Sequence, residues 1–136
     1  MKIVIQNILI FSSRKTGFET PMVDMVIQNI ENHSLSIDRD ITAFAKKMER
    51  RLLDDSVLFI IFIADDRELD FLLSIEDRIT NHALILILPD QHQVRLKKAY
   101  KLYPRYIATM DQHIKDTLMV IRKIMSPSKT IVKETA

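Results

Sequence analysis

The stretch Leu58-Phe59-Ile60-Ile61-Phe62-Ile63 offers no polar residue to either side of a strand, so a chain that contains it must cover both faces of that strand. It lies within SVLFIIFIADD (56–66), and two further apolar runs, HALILILPD (82–90) and RYIATMD (105–111), follow at intervals of about 25 residues. Each run ends in aspartate ahead of an amphipathic stretch, which is the pattern of successive βα units with parallel strands buried between helices. In such a sheet ligands and reactive groups meet beyond the carboxyl ends of the strands. The residues at which these runs stop therefore decide what the chain can do.

Ahead of these runs, IVIQNILIF (3–11) reads as a strand interrupted by Gln6-Asn7, with Ile8 to Phe11 buried and residues 1–6 as an overhang. The loop SSRKTGFET follows. Thr20-Pro21 fits an N-cap and first helical position, where proline gives up only an amide that has no partner anyway, and that helix runs to about Asn32. Leu35 to Ile37 forms a short strand, and Asp40 caps a helix with Ile41, Phe44, Ala45, Met48 and Leu52 on one face. A helix over 67–80 turns Leu69, Leu72, Leu73 and Ile79 inward, with Asn81 at its end; Pro89 closes a strand, another helix spans 91–103, and Pro104 stops it. The last helix, 112–125, sets Ile114, Leu118, Ile121 and Met125 on a core-facing stripe. Residues 1–125 form one domain, and SPSKTIVKETA (126–136) is a flexible tail.

With 136 residues and 47% hydrophobic content the chain can bury a single core without staples. It has no cysteine, which excludes disulfides, thiolate nucleophiles and cysteine zinc sites and suits a reducing cytoplasm. No apolar stretch reaches the ~18–20 residues of a membrane span, and MKIVIQNILIFSS lacks a signal-peptide cleavage site. A soluble cytoplasmic protein without membrane contact is expected. Twenty basic against eighteen acidic side chains give a net charge of +2, too small a total to imply nucleic acid. One glycine cannot supply a Walker loop, a dinucleotide fingerprint or a nucleophile elbow, and His33, His82, His92 and His113 have no metal-ligand spacing. An enzyme is not expected.

Five βα units at this length imply an α/β fold, a flavodoxin-like doubly wound five-stranded parallel sheet of order 2-1-3-4-5 with helices on both faces. The segment Pro104-Arg105-Tyr106-Ile107-Ala108-Thr109-Met110-Asp111, ahead of an amphipathic last helix, resembles the end of the CheY-like receiver domain of bacterial response regulators. In that family it runs aromatic, two apolar residues, lysine, proline. Here Tyr106 takes the place of the switch aromatic, Thr109 that of the lysine and Met110 that of the proline. The resemblance spans residues 7–125 in pattern, and the other positions depart from it. The acidic pair that would hold Mg²⁺ is Ser12-Ser13; the phosphoacceptor would fall near Ile61 or Phe62, with nothing ionisable before Asp65; the hydroxyl after the fourth strand is displaced by Leu88-Pro89. Phosphoryl transfer to a carboxylate needs a divalent cation and a cationic side chain beside the product. The resemblance thus implies a pseudo-receiver, the fold without the phosphorylation chemistry.

The loop Ser12, Ser13, Arg14, Lys15, Thr16, Gly17 is the rival site. It holds the one glycine and leads into a helix N-terminus, where free amides favour anions. It is similar to a flavodoxin phosphate loop, but Arg14-Lys15 interrupts the spacing and later loops lack flanking aromatics, so neither flavin nor any other cofactor is expected. The plain reading is a solvated loop in which Gly17 supplies a turn with positive φ. Asp65, Asp66, Asp90 and Asp111 gather at the same edge. Asp65 and Asp66 are weak candidates for a hard cation, whereas capping, worth about 1 kcal/mol each, is the ordinary use of Asp66, Asp90 and Asp111. No metal site is assigned.

Arg95, Lys97, Lys98, Lys101 and Arg105 are interleaved with Tyr100 and Tyr103, and Arg122 and Lys123 lie on the last helix. In receivers the face made by the fourth helix, fifth strand and last helix is where partners and dimers dock, and arginine and tyrosine are enriched at interfaces. The leading expectation is a non-catalytic signalling or adaptor module working through protein contacts at that face, by way of a partner or a two-fold homodimer with Asp111 and Asp116 across the axis. The alternatives are a small-molecule or phosphate-binding domain using residues 12–20, and an atypical receiver phosphorylated on Asp65 or Asp66.

Overall fold

The structure is a computed structural model and describes residues 5, 7–14, 20, 21, 24, 34–51, 56–79, 82–110 and 114–125. In chain order the elements are β1 (Asn7–Ser12), β2 (Ser34–Asp38), α1 (Ile41–Arg50), β3 (Val57–Phe62), α2 (Asp66–Ser74), α3 (Glu76–Ile79), β4 (Ala83–Leu88), α4 (Gln93–Tyr100), β5 (Tyr106–Thr109) and α5 (Ile114–Met125). The strands form one sheet of order β2-β1-β3-β4-β5, every pairing parallel. The sheet is the one the apolar runs require. The helix expected over 21–32 lies largely outside the described residues, although Thr20, Pro21 and Asp24 are helical; so do Leu52, Asn81, the side chains of Ile114 and Met125, and the tail.

Alternate residues of each central strand enter opposite cores. Val57, Phe59 and Ile61 join Leu84, Leu86, Leu88, Phe44, Met48, Leu69, Leu72, Ala99 and Leu102 on the side covered by α1 to α4. Leu58, Ile60 and Phe62 join Ile8, Ile10, Ile85, Ile87, Ala108 and Ile121 on the side covered by α5. The unbroken apolar run of β3 is thus explained by burial on both faces. Ile5 is buried in the second core, so at that position the chain is not the overhang expected of residues 1–6. The strand proper starts at Asn7, whose amide donates to the Ser56 carbonyl at 3.1 Å.

Asp40 caps α1 as its position suggests, its Oδ1 accepting from the Thr42 amide at 3.0 Å. The helix expected over 67–80 is broken at Ile75. There the Ser74 hydroxyl donates to the Phe71 carbonyl at 2.5 Å and the Ile75 amide bonds to Leu72, three residues back. A serine hydroxyl competing for a helical carbonyl loosens the ladder, and the tighter turn lets both Ile75 and Ile79 face the core. The helix expected over 91–103 is shorter: it ends at Tyr100 with Lys101 as its C-cap, and i→i−3 bonds at Lys101, Leu102 and Tyr103 carry the chain to Tyr103, at φ 52° before Pro104. On α5, Ile121 is buried and Leu118 half-buried, as the stripe requires, and Thr117 is buried as well.

Candidate functional site

At the carboxyl edge of the sheet Ser12 lies opposite Phe62, and Leu88 opposite Thr109. Ser12 is buried, its hydroxyl donating to the Arg14 carbonyl at 2.5 Å. Arg39, one residue beyond β2, donates from Nη1 to the Ser12 carbonyl at 3.1 Å. A guanidinium thus stands at the tip where the receiver resemblance would put a divalent cation, and like charges a few ångströms apart repel. Ser13 Oγ is buried without a hydrogen-bond partner among the described residues. Phe62 and Ile63, at the end of β3, are buried apolar side chains with no atom that could accept a phosphoryl group. Of the rival loop, Ser12, Ser13 and Arg14 are described and Lys15, Thr16 and Gly17 lie outside the described residues.

The aspartates at this edge have separate partners. Asp65, not Asp66, caps α2: its Oδ1 accepts from the Glu68 amide at 3.1 Å, and Glu68 Oε1 accepts from the Ala64 amide at 2.7 Å. This corrects the expectation that Asp66 is the cap, because the helix starts one residue earlier than its apolar period suggests. Asp66, the first helical residue, accepts from Arg95 Nε at 2.9 Å. Arg95 also donates from Nη1 to Asp90, whose Oδ1 accepts from the His92 amide at 3.1 Å. Asp90 therefore closes a turn ahead of α4, and the N-cap residue is His92, which makes no side-chain cap bond. Arg95 holds the Asp66 carboxyl below the usual carboxylate range; Asp90 is lowered first by the His92 amide and then by Arg95. The Asp66 bond in turn raises the guanidinium. Among the described residues no three His, Asp or Glu side chains are placed to hold a metal ion, and Asp111 is not among them.

The basic face divides in two. Arg95, its side chain only 16% exposed, and Lys98, bonded to Asp70 at 2.9 Å, are turned across to α2. They tie the β3–α2 and β4–α4 connections together and are less available to a partner than their sequence position suggests. Lys97, Lys101 and Arg105 are exposed, as are Lys115, Arg122 and Lys123 on α5. Tyr100 and Tyr103 are 64% and 74% exposed, whereas Tyr106 is half-buried against the second core and Thr109 is buried. Sequence reasoning missed Arg39, which carries no local pattern. It also missed the α2–α4 pairing, although Asp66 and Asp70 four apart and Arg95 and Lys98 three apart are the spacings of two helices with facing charges.

No protein-family model and no curated protein matches the chain. Solved structures do, through their fold. A signal receiver domain of a two-component histidine kinase from Clostridium thermocellum aligns at a TM-score of 0.67 with 17% identity, over 89% of this chain and 98% of its own. A CheY-like response-regulator receiver domain from Methanospirillum hungatei aligns at 0.67 with 12% identity, over 93% and 98%. A candidate pilus assembly-related protein from Burkholderia pseudomallei aligns at 0.62 with 11% identity, over 90% of each chain. The chain has the CheY-like receiver fold, as its strand order and its fifth-strand segment imply.

Proposed function

We propose that the chain is a non-catalytic, cytoplasmic signalling or adaptor module that works through protein contacts on the face formed by α4, β5 and α5. One observation carries this reading. The large apolar side chains left exposed among the described residues are Val94, Tyr100, Tyr103 and Met119, and all four belong to α4, its following turn or α5. Elsewhere the described surface has none. Tyr103 adds to the argument, because a bulky residue at φ 52° costs about 1–2 kcal/mol relative to an ordinary conformation and the following proline restricts it further. A 74% exposed aromatic has no part in the core, and residues held at such φ values cluster at functional sites. Structural neighbours of this fold include signalling receivers and candidate pilus-assembly proteins, and both settings suit a docking module.

The test is site-specific photo-crosslinking in cells of the native host. A photoreactive phenylalanine analogue at Tyr100 or Tyr103 is expected to give discrete protein adducts, and the same analogue at exposed Lys46 or Arg67 none. Adducts from the control positions alone would place the working surface elsewhere.

The absence of phosphorylation chemistry is tested separately. Incubation with acetyl phosphate and Mg²⁺ should leave the intact mass unchanged, since Asp65 is committed to the α2 amide and Asp66 to Arg95. A phosphoryl adduct that vanishes in Asp65→Asn or Asp66→Asn would restore the phosphorylatable alternative.

A further inference from the structure

The geometry points to a second site, a cleft at the β2 edge of the sheet that binds a phosphate-bearing small molecule of nucleotide size. β2 is the edge strand opposite β5, so this site stands apart from the α4–β5–α5 face. Leu9, Ser34, Ser36, Lys47, Arg50 and Arg51 line the cleft, and its volume of about 590 Å³ is within the range of small-molecule sites. Ser34 opens β2 and Arg50 ends α1, so the cleft lies toward the amino ends of the strands. It is therefore separate from Ser12, Ser13 and Arg14 at the carboxyl edge.

β2 alternates serine with apolar residues, and the pleat decides which face each one takes. Leu35 and Ile37 pack against the second core, on the side covered by α5, so Ser34 and Ser36 face the other side, toward α1. Ser36 pairs in register with Leu9, a member of the first core. On that side the inner strands present Leu9, Phe11, Phe59, Ile61, Leu84 and Leu86, whereas β2 presents two hydroxyls. Packing alone does not call for them. The Ser34 hydroxyl donates to Asn7 Oδ1, but Ser36 Oγ is buried without a hydrogen-bond partner among the described residues. Buried polar atoms are bonded in the large majority of cases, and this exception belongs to a residue that lines the cleft.

The end of α1 supplies the complementary charge. Lys47 straddles the Asp38 carboxylate, 3.1 Å from Oδ1 and 2.9 Å from Oδ2, so its charge is already partly offset. Arg50 is exposed, and its guanidinium has no partner among the described residues. Cations in the last turn of a helix ordinarily balance its macrodipole, which accounts for the charges but not for the serines opposite them. A guanidinium offers a planar fork to two phosphate oxygens, and a hydroxyl and an ammonium add single donors. Phosphate alone fills a small part of such a volume. The ligand therefore carries a further body, which Leu9 meets with an apolar wall.

The experiment titrates the full, isotope-labelled chain with ADP, pyrophosphate or adenosine, without Mg²⁺, and follows the backbone amide resonances. ADP is expected to shift the amides of Ser34, Ser36, Lys47 and Arg50 saturably, pyrophosphate to shift the same amides with weaker affinity, and adenosine to shift none. Arg50→Glu should weaken ADP binding at least about 10-fold, the effect of losing one hydrogen bond to a charged group. Ser36→Ala separates binding from folding. It should weaken ADP binding several-fold while its thermal midpoint stays no lower than the parent's, because the hydroxyl it removes has no partner in the protein. A midpoint well below the parent's would show that the hydroxyl serves the fold, and overturns the site. Absence of saturable shifts with both ADP and pyrophosphate, or shifts spread equally over the cations of α4 and α5, overturns it as well. Pyrophosphate binding as tightly as ADP would overturn the nucleotide-sized ligand.

Discussion

Phe44→Ala is expected to cost about 3–5 kcal/mol of folding stability, out of the roughly 5–15 kcal/mol that a domain usually has. Phe44 is fully buried and is the largest of the side chains, with Ala45 and Met48, by which α1 packs into the core against the sheet. Its ring lies 5.7 Å from that of Phe11 on β1, and 5.9 Å from that of Phe59 on β3 in an edge-to-face arrangement. The alanine variant loses the transfer free energy of the ring, two aromatic contacts of about 0.5–1.5 kcal/mol each, and leaves a cavity that two strands of a parallel sheet cannot close by shifting. Urea unfolding followed by circular dichroism should show the midpoint falling with the slope unchanged. A loss below about 1 kcal/mol would mean that α1 collapses onto the sheet and that the ring contacts contribute little. Phe44→Leu, which keeps most of the volume, should cost markedly less.

The parts of this fold that were legible in the sequence are those set by burial alone. Leu58 to Phe62 and Leu84 to Leu88 are apolar at every position, and a sheet covered on both faces accounts for them; parallel pairing follows from the spacing of the units, while the order 2-1-3-4-5 is what the flavodoxin-like resemblance implies. What could not be read depends on single polar atoms. The Ser74 hydroxyl that breaks the helix at Ile75 looks no different in sequence from a solvated serine, and apolar periodicity carries straight through it. Arg95 reads as one of a cluster of cations until the β3–α2 connection brings Asp66 beside it, 29 residues away in the chain. Tyr103 in the left-handed region has no signal beyond its proline neighbour, since most residues that adopt positive φ are glycine, asparagine or aspartate. The site therefore emerged from the sequence as a composition, basic and aromatic. Which of its members are exposed is decided by tertiary pairing.

His82 shows how such a pairing becomes measurable. The sequence gives it no ligand spacing, and the structure places it at the start of β4, buried, with its ring centroid 4.7 Å from that of Phe59 and its Nε2 without a hydrogen-bond partner among the described residues. Burial pushes its pKa below the ordinary 6.5, against the opposing influence of a hydrogen bond to the Met48 backbone. Above 6.5 the ring is neutral in both folded and unfolded chains, and its contribution to stability is fully present. As pH falls through 6.5 the unfolded chain takes up the proton and the folded chain resists it, so stability is lost, by at most about 1.4 kcal/mol per pH unit for one proton. The carboxylates of Asp66 and Asp90 add nothing in that range, because their pKa values are lowered from 3.8 and their contribution disappears only at more acid pH. Unfolding free energies measured at several values between about pH 8 and 5 should therefore fall more steeply for the parent than for His82→Phe, which keeps a ring against Phe59 but has no proton to bind. The difference between the two should widen steadily below pH 6.5. Parallel profiles would mean that the folded protein accommodates the imidazolium, and that the β4 end of the first core is open to water.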